Sequence, residues 1–130
     1  MADDQLQVEL VAADRTVWSG QATMVIARTT EGDVGVLRNH APLLSLLVDG
    51  VVQISAVDGD DLVAAVDGGF LSVANNRVSI LSEHAVLGHE IDLEAARSEL
   101  EAAEADTESE DSGARARRAE SRIRAAEKAS

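Results

Sequence analysis

The sequence predicts an all-β sandwich, or flattened antiparallel barrel, over residues 1–87, followed by a C-terminal two-helix antiparallel hairpin over residues 88–130. Three observations carry that division. Apolar residues alternate with others before residue 85, turn-forming pairs punctuate the alternation, and from Ile91 onward alanine and charge take over with a helical period.

Leu6, Val8, Leu10 and Ala12 alternate with Gln7, Glu9 and Val11, the pattern of a strand buried on one face. A second strand is expected over Thr23 to Arg28. Gly32 and Gly35 then permit tight or positive-φ geometry, which puts Thr30, Glu31 and Asp33 on an exposed acidic loop at the sheet edge. Pro42, the single proline, lacks an amide donor and biases Ala41 toward extended backbone, so His40 sits at a fixed bend. By spacing alone that histidine either satisfies a local carbonyl or belongs to a contact loop. Val52, Ile54 and Ala56 alternate with Gln53 and Ser55, and further strands are expected at Leu62 to Val66, Phe70 to Val73 and Val78 to Leu81. Asp58-Gly59 and Asn75-Asn76 fall between apolar runs, where hairpin turns need residues that tolerate positive φ, and Gly68-Gly69 suits a sheet corner.

Leu93, Ala96, Leu100 and Ala103 recur at helical steps, and Ala116, Ala119, Ile123 and Ala126 repeat them. Asp92 is the expected N-cap, with Glu94 in the first turn, and Asp106 to Gly113 forms a polar connector. Glu90 to Asp111 carries a net charge of −9, whereas Gly113 to Ser130 carries +4, so the two helices attract each other. Their apolar stripes are mostly alanine. At about 25 cal/mol per Å² such stripes contribute only a few kcal/mol of docking energy, and surface ion pairs add about 0.2–1 kcal/mol each. A weakly held hairpin that can exchange partners is therefore expected.

Composition narrows the function. A chain of 130 residues holds one modest core, and the absence of cysteine removes disulfides, thiolate metal sites and thiol nucleophiles. A net charge of −13 and 2% aromatic residues disfavour binding to nucleic acid or anionic lipid. There is no apolar run long enough to span a membrane, and Met1-Ala2-Asp3-Asp4 lacks the features of a signal peptide, which points to the cytoplasm.

Several stretches together resemble one known family, the ε subunit of bacterial F-type ATP synthase, counterpart of the mitochondrial δ subunit. The matching runs are Trp18-Ser19-Gly20, Thr30-Glu31-Gly32-Asp33-Val34-Gly35-Val36-Leu37, His40-Ala41-Pro42-Leu43-Leu44, Gly50-Val51-Val52-Gln53-Ile54, Gly68-Gly69-Phe70-Leu71-Ser72-Val73 and Asn76-Arg77-Val78-Ser79-Ile80-Leu81. The resemblance implies a non-catalytic central-stalk rotor subunit, peripheral at the cytoplasmic face of the membrane, that links the γ subunit to the membrane ring of c subunits. It implies c-ring contact by Thr30, Glu31, Gly32, Asp33 and His40. It further implies a regulatory hairpin whose second-helix residues Arg115, Arg117, Arg118, Arg122 and Arg124 meet the α/β catalytic head and restrain ATP hydrolysis.

Members that bind ATP on this subunit carry Ile/Leu-Asp-x-x-Arg-Ala at the first helix, where this chain has Ile91-Asp92-Leu93-Glu94-Ala95-Ala96. Ala95 replaces the arginine and Val86 stands where a carboxylate is common. Arg97 projects about 200° around the helix from position 95. Asp92, Arg118 and Arg122 are the residues left for such a site, so no cofactor is expected. His84 and His89 with Glu83 and Glu90 lack a shared face for a metal, and Asp58-Gly59-Asp60-Asp61 lacks the remaining ligands of a calcium loop. An acid–base enzyme built on His40 has no accompanying nucleophile or pocket signature. The alternative from another class is a free-standing acidic β-sandwich adaptor with a mobile helical tail.

Overall fold

The computed structural model describes residues 5–59 and 61–129; Met1–Asp4, Asp60 of the expected Asp58–Asp61 turn, and Ser130 lie outside the described residues. Among the described residues nine strands run β1 Leu6–Val11, β2 Thr16–Thr29, β3 Gly32–Leu37, β4 Leu43–Leu47, β5 Gly50–Ala56, β6 Asp61–Val66, β7 Gly69–Ala74, β8 Arg77–Leu81 and β9 Ala85–Leu87. A 3-10 turn at Gly88–Glu90 leads into α1 Leu93–Ala105 and α2 Ser112–Ala129.

The strands pair in the order β1-β8-β7-β4-β2-β5-β6-β9, and β1 also pairs with β2, which folds the sheet back on itself into a flattened barrel. The long β2 makes this possible. Its first half pairs with β1 and its second half with β3 and β5, with a register shift between Ala22 and Met24 that bends the strand. The β1–β8 ladder is parallel, Gln7 facing Arg77 through Val11 facing Leu81, so the barrel is not antiparallel throughout. Alternation along a strand reports which face is buried and carries no information on the direction of the neighbour.

The expected inward residues are inward. Leu6, Val8, Leu10, Ile54, Leu71, Val78 and Ile80 are fully buried between the two layers. Gly69, at φ 113°, turns the chain into β7, and a Cβ there would stand 1.9 Å from the Leu81 carbonyl oxygen. Asn75 and Asn76 both adopt positive φ in the β7–β8 turn.

Three strands lie where the sequence pattern gave no strand. β3 replaces most of the expected acidic loop, leaving Thr30 and Glu31 as a two-residue turn. The buried Thr29 closes that turn: its hydroxyl donates to the Gly32 carbonyl at 2.8 Å and accepts from the Glu31 amide at 3.1 Å. Arg28 Nε pairs with Asp33 Oδ1 at 3.0 Å across the two strands. β4 and the short β9 are the others, held by β7 and β6 respectively.

In the hairpin, Asp92 Oδ1 accepts from the Ala95 amide at 3.2 Å and caps α1 as expected. The connector is shorter than expected, because Ser112 and Gly113 already belong to α2. The buried line of α2 also differs from the expected Ala116, Ala119, Ile123 and Ala126. Ala119, Ser121 and Ala125 are fully buried, while Ala116, Ile123 and Ala126 are half-buried. The reason is that α2 is covered on two sides, by α1 and by β5, β6 and the 3-10 turn. Ser121 tolerates burial because its hydroxyl donates to the Arg117 carbonyl at 3.0 Å.

Candidate functional site

Basic side chains of α2 meet acidic side chains at the ends of sandwich strands. Arg122 Nη2 lies 3.1 Å from Asp67 Oδ2, just beyond β6, and its Nη1 lies 3.8 Å from Glu99 Oε2 of α1. Arg117 Nε lies 3.8 Å from Asp49 Oδ2, between β4 and β5. The Asp67 side chain is only 5% exposed, against 28% for Arg122. Burial pushes the Asp67 carboxyl above the ordinary carboxylate range and outweighs the nearby Arg122 and Arg118, which act in the opposite direction.

Two more second-helix arginines, Arg115 and Arg124, are used locally. Arg115 holds Asp106 at 3.0 Å and Asp111 at 3.7 Å, and Arg124 lies 3.9 Å from Glu120. Asp106 also accepts from the Ser109 and Glu108 amides, which hold its carboxyl below the usual range. Arg118 is the second-helix arginine with no ion pair among the described residues. Attraction between the helices is thus carried by Arg97 with Glu127, at 3.8 Å, and by Arg122 with Glu99, while Arg115 and Arg124 act locally and Arg117 reaches the sandwich.

Two adjoining clefts open along this junction. One, of about 490 Å³, is lined by Arg15, Val86, Asp92, Ala95, Glu99 and Arg122 among others. The second, of about 400 Å³, is lined by Asp67, His84, Arg115, Arg118 and Arg122 with Glu99 and Ala102. The structure therefore brings Asp92, Ala95 and Arg122 to one cleft and sets Arg118 in its neighbour. Ala95 offers the first cleft a methyl group, Asp92 spends an oxygen on the helix cap, and Arg122 is engaged by Asp67 and Glu99. His84 belongs to the clefts, whereas Glu90 turns to Arg15 at 3.4 Å.

Thr30 and Glu31 are exposed at the β2–β3 turn, with Gly32 and Asp33 opening β3 beside them. The Thr30 amide donates to the Leu46 carbonyl at 3.0 Å, which ties this turn to the far end of β4. His40 lies elsewhere. It follows β3 and precedes β4, where the Asn39 amide donates to the Asn76 side chain, so the length of β3, about 20 Å, separates it from Glu31. Its Nδ1 donates to the Ala41 carbonyl at 2.6 Å, the local role that competes with a contact role. The five residues assigned to the c ring by resemblance thus form two patches.

One feature of the surface was not read from the sequence. Leu44, Leu46, Phe70 and Leu81 are exposed at 73%, 52%, 48% and 46%. Leu46 faces Phe70 in the β4–β7 ladder and Phe70 faces Leu81 in the β7–β8 ladder, so they form a continuous apolar row on the outer face of β4, β7 and β8. The helices cover β5 and β6 instead. The signal was present in Leu43-Leu44-Ser45-Leu46-Leu47, which is apolar at both phases of the alternation and so demands cover on both faces.

A family model described as ATP synthase, Delta/Epsilon chain, beta-sandwich domain matches residues 5–88. The ATP synthase epsilon chain of Streptomyces avermitilis is 57% identical over 95 residues, spanning 73% of this chain and 77% of the relative. That of Corynebacterium efficiens is 52% identical over 96 residues, spanning 73% and 77%. A chain in the cryo-EM structure of Euglena gracilis mitochondrial ATP synthase, OSCP/F1/c-ring in rotational state 1, is similar with a TM-score of 0.75 and 27% identity over 97% of this chain and 81% of that one. A chain of the Tetrahymena thermophila mitochondrial ATP synthase central stalk and c ring shares the fold, with a TM-score of 0.57 at 15% identity over 96% of each.

Proposed function

Because the chain belongs to the ATP synthase delta/epsilon family, we propose a division of its surface between three partners of the rotary machine. It is a non-catalytic subunit of the ATP synthase, with a rotor role in the central stalk. The finer assignments are ours. The apolar row Leu44, Leu46, Phe70 and Leu81 is the seat for γ, because a row of that size left open to water calls for a permanent protein partner. The Thr30–Asp33 turn meets the c ring, where an exposed carboxylate at Glu31 accepts charge-assisted hydrogen bonds from polar loops. His40 sits at the opposite end of β3 and serves a separate edge of the same contact. Attachment to the cytoplasmic face of the membrane runs through that ring; among the described residues no helix is long and apolar enough to cross a membrane.

The hairpin is the regulatory element, and Arg115, Arg117, Arg118, Arg122 and Arg124 are its contacts with the acidic surface of the α/β head. The observation that carries this is the direction of the charge: α2 reaches acidic side chains Asp49 and Asp67 through Arg117 and Arg122, so an acidic surface elsewhere can replace them. No nucleotide cofactor is needed. Ala95 supplies no cation to the cleft and Arg122 is already engaged, so calorimetry with ATP is expected to give no micromolar binding.

The test is ATP hydrolysis by a γ-containing catalytic head titrated with the full chain and with a truncation ending at Gly88, with binding followed in parallel. Binding by both and inhibition by the full chain alone is the expected result. Binding by neither would overturn the stalk assignment, and inhibition by the truncation would remove the brake from the hairpin.

A further inference from the structure

We propose that Gly88 is the seat on which α2 docks, and that its missing side chain decides whether the hairpin can close on the sandwich. Gly88 is buried at the head of the 3-10 turn, and α2 crosses directly over it. A Cβ built there would stand 2.5 Å from the Ala125 carbonyl oxygen and 2.8 Å from the Ala129 Cβ, where ordinary contact begins at 3.4 Å. The obstacle is helix backbone, which cannot swing aside as a long side chain can. Nor does the turn itself need glycine, because the φ of Gly88 lies outside the left-handed region that other residues avoid. What glycine provides at this position is proximity.

Ala125 and Ser121, both at 0% exposure, continue the close approach along α2. A side chain at 88 lifts α2 by close to an ångström, and that displacement acts on every other docking contact. Arg117 and Asp49, already 3.8 Å apart, and Arg122 and Asp67, at 3.1 Å, lie on the same helix and separate together. Release then frees Arg117 and Arg122 beside the unpaired Arg118. This consequence for inhibition rests on the regulatory reading above; the docking seat does not.

The experiment is amide hydrogen exchange, read peptide by peptide, on full-length Gly88→Ala and Gly88→Val. Overpacking of this kind is expected to lower α2 protection by about tenfold to a hundredfold, more for valine, with β1 and β8 unchanged. Unchanged or increased protection of α2 overturns the proposal, since Gly→Ala at a compatible site stiffens the unfolded chain and stabilises. Loss of protection in β1 and β8 along with α2 also overturns it, because the glycine would then serve the sandwich. The same variants added to a γ-containing head separate the two ideas: released α2 with unaltered hydrolysis leaves the seat standing and removes the brake.

Discussion

Replacing Arg122 with alanine should release α2 from the sandwich at neutral pH. The substitution removes the guanidinium 3.1 Å from Asp67 and leaves a carboxylate whose side chain is 5% exposed. Removing one partner of a buried pair costs about 3–5 kcal/mol, and the partial exposure of Arg122 argues for the lower figure, about 3 kcal/mol. The alanine-lined face of α2 contributes docking energy of only a few kcal/mol. Letting α2 go and rehydrating Asp67 is therefore less costly than keeping an unpaired charge buried, and the docked-to-released ratio should fall about a hundredfold. The chain has no native cysteine, so nitroxides on cysteines placed at exposed Ser19 and Lys128 report the distance by pulsed dipolar spectroscopy. One narrow distance is expected with Arg122 present, and a broad, longer component without it.

The pH dependence fixes the cause. Burial holds the Asp67 carboxyl above its ordinary value of 3.8, so the docked form binds that proton more tightly than the released form. Docking therefore gains as pH falls through the raised value toward 3.8, and that gain is lost as pH rises back through the raised value. Arg122 and Arg118 from α2, Asp49 from the β4–β5 turn and His84 from the segment before β9 are the charged groups that act on it. Without Arg122 the upward shift grows, so acidification should bring the narrow distance back. A narrow distance at neutral pH in Arg122→Ala would refute the reasoning. So would equal release in Asp67→Asn/Arg122→Ala, which buries no charge.

Other surfaces give independent tests. Glu31→Lys should weaken proton pumping by the assembled enzyme while changing the stability of the isolated chain by no more than about 0.5 kcal/mol, since the side chain is exposed; unchanged pumping would remove Glu31 from the ring contact. Phe70→Asp should weaken binding to γ by at least about thirtyfold, as expected for a central aromatic of an interface, with little effect on folding. If γ binds the variant as before, the apolar row has another purpose. Asp106 is held below its ordinary 3.8 by the Ser109 and Glu108 amides, so its contribution to the connector is present above 3.8 and lost as pH falls through the lowered value. Exchange rates of those two amides, corrected for intrinsic pH dependence, should rise there, and Asp106→Ala should abolish the step.

Much of the barrel was legible because one face of each predicted strand is buried and period-2 alternation reports burial. Leu6, Val8 and Leu10, or Val52, Ile54 and Ala56, need only local sequence to be read. β3 escaped because Asp33 and the two glycines look like a loop, and the Thr29 hydroxyl that closes the turn acts through hydrogen bonds with no periodic signature. β4 escaped because Leu43 to Leu47 is apolar on both faces, and only the tertiary structure tells the buried Leu47 from the exposed Leu44 and Leu46. The candidate site was legible in kind but not in partners. Charge counting located the basic second helix, yet Arg122 meets Asp67 from 55 positions away, and no local pattern records such a pairing.

Those pairings change what the positive charge of α2 implies. In the docked form Arg117 and Arg122 already face carboxylates, so an acidic partner adds to their binding energy only the difference between its own carboxylates and Asp49, Asp67 and Glu99. Salt screens both sides of that exchange, and neither state is favoured by ionic strength as strongly as a simple basic helix would be. Asp67 breaks the balance. Its carboxylate is buried at a desolvation cost that release refunds, whereas the exposed Arg117 with Asp49 returns little. The exchange is therefore poised by a buried group on the sandwich rather than by the number of arginines on the helix, and neutralising Asp67 together with Arg122 should leave a hairpin that stays docked though it has lost part of its charge.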